Sequence, residues 1–168
     1  YGVGTFTENN ITSNTAAQDA ISEWQPETSV YVPSENVWFP AISSGFGANN
    51  FVMSNADSGT IPPGEFTENE LESAVLDASN HLDLTLELDM YFSRYNLTVP
   101  ENVNIEVSTD GGATYPNVIA NITDDVGYGT KFGFLSYDLS AYAGVTVQLR
   151  FNRFVGSTWQ ADIAIDNI

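Results

Sequence analysis

The chain has no cysteine, four basic residues and one histidine, and each shortage removes a class of function. Without cysteine there is no disulfide framework, no thiol nucleophile and no cysteine-based zinc site. The single histidine, His81, sits in "SNHLDL" with no nucleophile elbow beside it, so a Ser-His-Asp centre has little to build on. The cations are Arg94, Lys131, Arg150 and Arg153, which leaves residues 1–93 with none. Against 22 acidic residues they give a formal net charge of −18. A nucleic-acid reader needs a basic stripe to displace phosphate counterions, and no such stripe exists here. The same charge opposes anionic membrane surfaces and suits a solvated surface, divalent-cation sites or salty water. No apolar run is long enough to span a membrane, so membrane insertion is not expected.

What is present is a chain of 168 residues, enough for one domain with a sizeable core. Residues 1–168 read as a single domain whose first fifty residues are loop-rich. The chain opens at Tyr1 rather than Met and stops at Ile168 inside a strand-like pattern. That reads as a module excised from a larger protein. Sequons begin at Asn10, Asn96 and Asn121.

In the first eighty residues, Thr15–Trp24 reads as a short helix with Asn14 as its cap. Val37–Pro40 and Phe51–Met53 read as short strands, with "SGFGANN" and "GTIPPGEF" as loops. The second half is more regular. In "LDLTLELDMYF", Leu82, Leu84, Leu86, Leu88, Met90 and Phe92 alternate with Asp83, Thr85, Glu87 and Asp89. That period of two is a strand with one face on a core. Val103, Ile105 and Val107 repeat it, with Asn104 and Glu106 outward. Val145, Val147, Leu149 and Phe151 do so again, with Thr146, Gln148, Arg150 and Asn152 outward. Asn117–Ile122, Phe132–Leu139 and the terminal "WQADIAIDNI" complete the strands. Many short strands with Gly-rich turns and little helix predict an all-β, two-sheet antiparallel sandwich.

Ser108–Tyr115, "STDGGATY", has the Ser-x-Asp-x-Gly-x-Thr-aromatic spacing of the Asp-box found in sialidases and other propellers. A propeller blade takes about 40–45 residues, so this chain would hold fewer than four, and the box occurs once with no internal repeat. Asp110-Gly111-Gly112 instead supplies a tight turn after the strand Val103–Ser108, with Asp110 accepting backbone N–H groups two residues on.

The ordered set "LDLTLELDMYF", "VNIEVSTDGGATY", "YDLSAYAGVTVQLRF" and "WQADIAIDNI" resembles the MAM-like jelly-roll modules of secreted bacterial proteins. These include cleaved-adhesin and choice-of-anchor J domains. The resemblance covers about residues 50–168, and "DLSAYAGVTVQLRF" with Ile165-Asp166-Asn167-Ile168 carries it most specifically. It implies a jelly roll without catalysis of its own, structural calcium, and a secreted or cell-surface setting. Such modules sit beside proteases or polysaccharide-degrading enzymes, or act as adhesins.

Calcium takes six to eight oxygen ligands, which acidic loops supply. Asp166 is the leading candidate, because a carboxylate among Ile and Ala is costly without a partner, and the resembling families use an aspartate in this motif for the ion or its turn. Asn55, Asp57 and Glu72 are the candidate co-ligands. Alternatively, Asp166 accepts hydrogen bonds from a neighbouring loop. For sugar binding, if the strands at 82–92, 103–107 and 145–152 are neighbours, their outer faces pool Glu87, Asp89, Glu106, Gln148 and Arg150. Tyr91, Arg94 and Tyr95 stand near one end, and Trp159 is a loop-borne stacking platform. Trp24 and Trp38 are weaker platform candidates, and a Trp in a sandwich more often fills the core. Glu87, Asp89 and Glu106 could formally pair for glycoside hydrolysis, but in so acidic a chain some pairs fall close by chance.

The reading is a non-catalytic module for adhesion or carbohydrate binding, monomeric when isolated, stabilised by calcium. Its partner is a polysaccharide or glycan. The alternative is a structural domain docked to a neighbouring domain, attached to a secreted protease or glycanase.

Overall fold

The computed structural model describes residues 6–10, 23–28, 50–55, 66–94, 100–127, 132–156 and 162–168, the side chains of Asn10 and Asn55 excepted. The expected helix at 15–22, the strand at 37–40 and Trp38 lie outside these residues. The strands are β1 (Thr7–Asn10), β2 (Gln25–Thr28), β3 (Asn50–Asn55), β4 (Thr67–Glu72), β5 (Leu76–Asp77) and β6 (Thr85–Ser93). There follow β7 (Glu101–Ser108), β8 (Asn117–Ile122), β9 (Gly133–Asp138), β10 (Thr146–Val155) and β11 (Asp162–Asp166), with a short 3-10 turn at Ser140–Tyr142.

The first sheet has the order β1-β4-β10-β7-β8, with β5 also pairing β10; the second has the order β2-β3-β11-β6-β9. The named pairs are antiparallel. From β5 onward the chain crosses between the sheets at every step except β7 to β8, while β2 and β3 are neighbours in the second sheet and β4 and β5 both join the first. That alternation is the jelly-roll winding of a two-sheet sandwich.

Period-2 side chains explain the core. β6 turns Leu86, Leu88, Met90 and Phe92 inward; β7 turns Val103, Ile105 and Val107; β10 turns Val147, Leu149 and Phe151; β11 turns Ile163 and Ile165. Each such burial contributes about 1.5–3 kcal/mol. Trp24 joins this core and donates its indole N–H to the Asn69 carbonyl at 3.3 Å. Arg153, wholly buried on the inward side of β10, donates from Nη1 to Ser54 Oγ at 3.1 Å and so ties the two sheets together. A second apolar group of Phe51, Met53, Tyr91 and Ala164, with Phe132 against it, lies on the other side of the second sheet.

Two ends of the alternating pattern differ from expectation. Leu82 is 89% exposed. The β6 ladder starts only at Thr85, opposite Asp138 at the end of β9, so Leu82 has no strand to lie against. Val145 is likewise exposed, because the pairing of β10 begins at Thr146 opposite Asp77.

The β7–β8 hairpin shows what "STDGGATY" does. Ser108 Oγ donates to Asp110 Oδ1 (2.6 Å) and accepts the Gly112 N–H (2.9 Å). Thr114 donates its N–H to Asp110 Oδ1 (3.0 Å) and its hydroxyl to Oδ2 (2.7 Å). The carboxylate therefore closes the loop four residues on, a longer reach than an Asx turn. Gly111 (φ 73°) and Gly112 (φ 87°) take left-handed positions that a side chain would resist. The hydroxyls of Ser108 and Thr114 hold the Asp110 carboxyl down to about 2.

Candidate functional site

The outer face of the first sheet carries a row of four amides and one carboxylate running from one edge to the other. In register across β1, β4, β10, β7 and β8 stand Asn9, Glu70, Asn152, Asn104 and Asn121. Register partners project to one side, and this side is outward because the adjacent Leu71, Phe151 and Ile105 fill the core. With strands about 4.8 Å apart, the row spans about 19 Å. Asn9 donates to Glu70 Oε2 (2.8 Å), Asn152 donates to Glu68 Oε1 (3.0 Å), and Asn102 donates to Asn104 Oδ1 (3.3 Å). Asn152 Oδ1 is covered and accepts from no described group. Asn121 is exposed at the β8 edge.

One row over, Arg150 is held between two carboxylates. Its Nη1 meets Glu70 and its Nε donates to Glu106 Oε2 at 2.6 Å, while its guanidinium lies 4.1 Å from the centre of the Tyr115 ring. Both carboxylates are almost fully covered. Burial is the chief reason that the Glu70 carboxyl rises, with Glu72 and Glu68 adding to it and Asn9 and Arg150 opposing. Burial, then the Glu72 carboxylate, pushes the Tyr115 phenol upward. On the other side of the row, Phe154 stacks with Phe66 at 5.6 Å between ring centres.

The expected sugar-binding pool is divided. Glu106, Gln148 and Arg150 do share the first sheet's outer face. Glu87 and Asp89 lie on β6 in the second sheet, because β6 and β7 are consecutive strands placed in opposite sheets. Tyr91 is 6% exposed and packs edge-on to Phe132, so its ring is not open to a sugar. Arg94 pairs with Asp124 and Asp125, and its backbone N–H donates to Asp125 Oδ1. Tyr95, Trp159 and Asp57 lie outside the described residues. His81 is exposed in the turn after β5, where its N–H donates to the Ala78 carbonyl.

The expected metal ligands do not converge either. Asn55 pairs with Asp162 at the far end of β11 from Asp166, about 13 Å along the strand. Glu72 belongs to the first sheet, opposite Arg150. Asp166 itself is 6% exposed, faces Asp89 across the ladder, and has Oδ2 without a partner among the described residues. Asn167, at φ 51°, donates its N–H to Asp166 Oδ1 (2.8 Å) and its amide to Asp89 Oδ2 (2.9 Å). Among the described residues no group of three or more His, Cys, Asp or Glu is placed to hold a metal ion. Were a cation held at this end of β11, Asp166, Asp89 and the Asn167 side-chain oxygen would be the groups at hand.

Sequence reasoning placed Asn104 and Asn152 outward but missed the row, since alternation gives a residue's face and not its cross-strand partner. Glu70 and Asn9 gave no such signal, because β1 and β4 lie in the less regular half.

No protein-family model and no curated protein sequence matches the chain. Among solved structures, the chain is similar to a cleaved adhesin domain of Lys-gingipain from Porphyromonas gingivalis, with 20% identity and a TM-score of 0.51 over 97% of this chain and 95% of that one. It also aligns with the enzymatically active domain of tailspike protein 4 of bacteriophage CBA120 (13% identity, TM-score 0.47), covering 98% of this chain but 19% of that one. The carbohydrate-binding module TmCBM27, solved for its specific mannan recognition, aligns at 13% identity and a TM-score of 0.41 over 98% and 96% of the two chains. The adhesin-domain likeness shows a shared fold: this chain has the β-sandwich architecture of that module.

Proposed function

We propose that this chain is a non-catalytic module that binds glycans through the outer face of its first sheet, as part of a secreted or cell-surface bacterial protein. The observation that carries the reading is the row Asn9–Glu70–Asn152–Asn104–Asn121, four amides with a covered carboxylate among them. Primary amides both donate and accept, which matches the donor-acceptor character of sugar hydroxyls. The shared fold with an adhesin domain supports an adhesive role. The chemistry of the chain does not favour turnover, because its one histidine is exposed at a turn and it has no cysteine. Affinity electrophoresis through gels cast with soluble polysaccharides tests the reading. Retardation by at least one glycan is expected, and free mobility in every gel would remove it.

Calcium at Asp166 belongs to the same proposal as a structural ion that neutralises a buried carboxylate. A second reading, docking onto a neighbouring domain, draws support from Val75, Leu76 and Val145, which are exposed together where β5 meets the start of β10. Co-purification of the module with its neighbouring domain, lost in Leu76→Ser, would favour it.

A further inference from the structure

Resting on the glycan reading above, we infer that the amide row is a track for a neutral, extended, unbranched polysaccharide lying across the strands, one sugar unit per strand. The row crosses the five strands β1, β4, β10, β7 and β8 at a spacing of about 4.8 Å. Pyranose units repeat along an extended chain at a comparable distance, so successive sugars meet the amides of Asn9, Asn152, Asn104 and Asn121 in turn and pass over the covered Glu70. A monosaccharide would use one step of such a row; only a chain uses all of it.

Charge sets the class. Glu68, Glu70, Glu72 and Glu106 all lie on this face, and its one described cation, Arg150, is spent on Glu70 and Glu106. A chain of uronates or sulfated sugars would bring more negative charge to carboxylates with no cation to spare. Neutral hydroxyls, by contrast, donate to the amide oxygens and accept from the amide nitrogens. The exposed amides of Asn9 and Asn121, at the two ends of the row, are open to a ligand from solvent. Aromatic rings border it on both sides: the Phe66–Phe154 stack, and Tyr115 over Arg150. That confinement to a lane one residue wide favours a chain without branches.

The test is calorimetric titration with β-1,4-linked mannose, glucose and xylose oligomers from one to six units, beside a polyuronate and a sulfated polymer. Affinity for one neutral series is expected to climb with each added sugar and to level off near the five-strand span. Binding should change little with salt. Asn104→Ala and Asn121→Ala should each weaken it about tenfold, the value of a good hydrogen bond, while the unfolding midpoint stays put. Phe134→Ala, on β9 of the second sheet, should leave it unchanged. Glycan binding that ignores chain length, prefers the anionic polymers, or survives both Asn variants but not Phe134→Ala overturns the track and leaves the glycan reading standing. Silence with every glycan overturns both.

Discussion

Asp166 and Asp89 face each other directly across the β11–β6 pair, on the outer side of the second sheet. Burial, more than the Asp89 charge, raises the Asp166 carboxyl, and the Asn167 N–H opposes the shift. A folded-state value above the unfolded one means that the native state holds the proton more tightly. The associated stability is complete at acid pH and is lost as pH rises through the folded value. With chelator at pH 7, Asp166→Asn should therefore raise the unfolding midpoint above that of wild type. Added calcium should raise the wild-type midpoint and leave the variant where it was, since only a native-state ligand shifts the equilibrium. Scanning calorimetry of both proteins decides; a wild-type midpoint indifferent to calcium removes the ion.

The Arg150 cluster yields the largest expected loss. Deleting the guanidinium leaves Glu70 and Glu106 covered, close together and without their shared cation. Arg150→Ala should cost about 3–5 kcal/mol in a urea titration at neutral pH. The deficit should shrink as pH falls and Glu70, whose carboxyl burial already raises and Arg150 no longer lowers, takes up a proton. Arg150→Lys should recover only part of it, because an ammonium cannot serve both carboxylates and cover the Tyr115 ring at once. Equal stability of Arg150→Ala and wild type at pH 7 would mean that the cluster is merely decorative.

The regular half of the sequence revealed most of the fold, for a physical reason visible in β6. Leu86, Leu88, Met90 and Phe92 must all reach one core, and only a period of two does that. The same alternation could not say that β6 and β7 belong to different sheets, so Glu87 and Asp89 were pooled with Glu106 and Arg150. Tyr91 was misplaced for a related reason. A position facing away from the main core is ordinarily wet, but here Phe51, Met53 and Phe132 cover it. Among the described parts of the first half, β1 lies in the order β1-β4-β10, where Asn9 gains meaning only from its partner Glu70. The turn chemistry of "STDGGATY" was legible because it is local, running from Ser108 to Thr114.

The two glycines of that turn should respond differently to alanine. Both sit at positive φ, which costs an L residue about 1–2 kcal/mol. At Gly111 a methyl group meets nothing, so Gly111→Ala should cost no more than that. At Gly112 the added Cβ would lie 2.5 Å from Gln148 Oε1. Gln148 is tethered, donating from Nε2 to the Ser73 carbonyl at 2.7 Å, so moving it strains that bond too. Gly112→Ala should therefore be the more destabilising by about 1 kcal/mol, the worth of one hydrogen bond. Chemical denaturation of the two variants side by side checks the order, and a reversed order would show that the Gln148 contact gives way freely.

Glu8 supplies the clearest pH dependence outside the Asp166 pair. It stands in β1 opposite Leu71, on the inward side of an edge strand, with Oε1 covered and lacking a described partner. Burial, helped by the charge of Glu23, raises its carboxyl from 4.5 to about 6. The sign is that of Asp166: the native state binds the proton more tightly, so this stability is complete below 4.5 and is lost as pH rises through about 6. At pH 7 the ionised Glu8 is a net cost. Much of the side chain still reaches water, so solvent screening limits the effect to less than about 1 kcal/mol. Glu8→Gln keeps the shape and removes the charge. Its unfolding midpoint should exceed that of wild type at pH 7 and 8, and the gap should narrow steadily between pH 6 and 4.5. Midpoints measured across that range at constant salt give the answer. A gap that does not vary with pH would assign the effect to packing at the β1 edge rather than to the proton on Glu8.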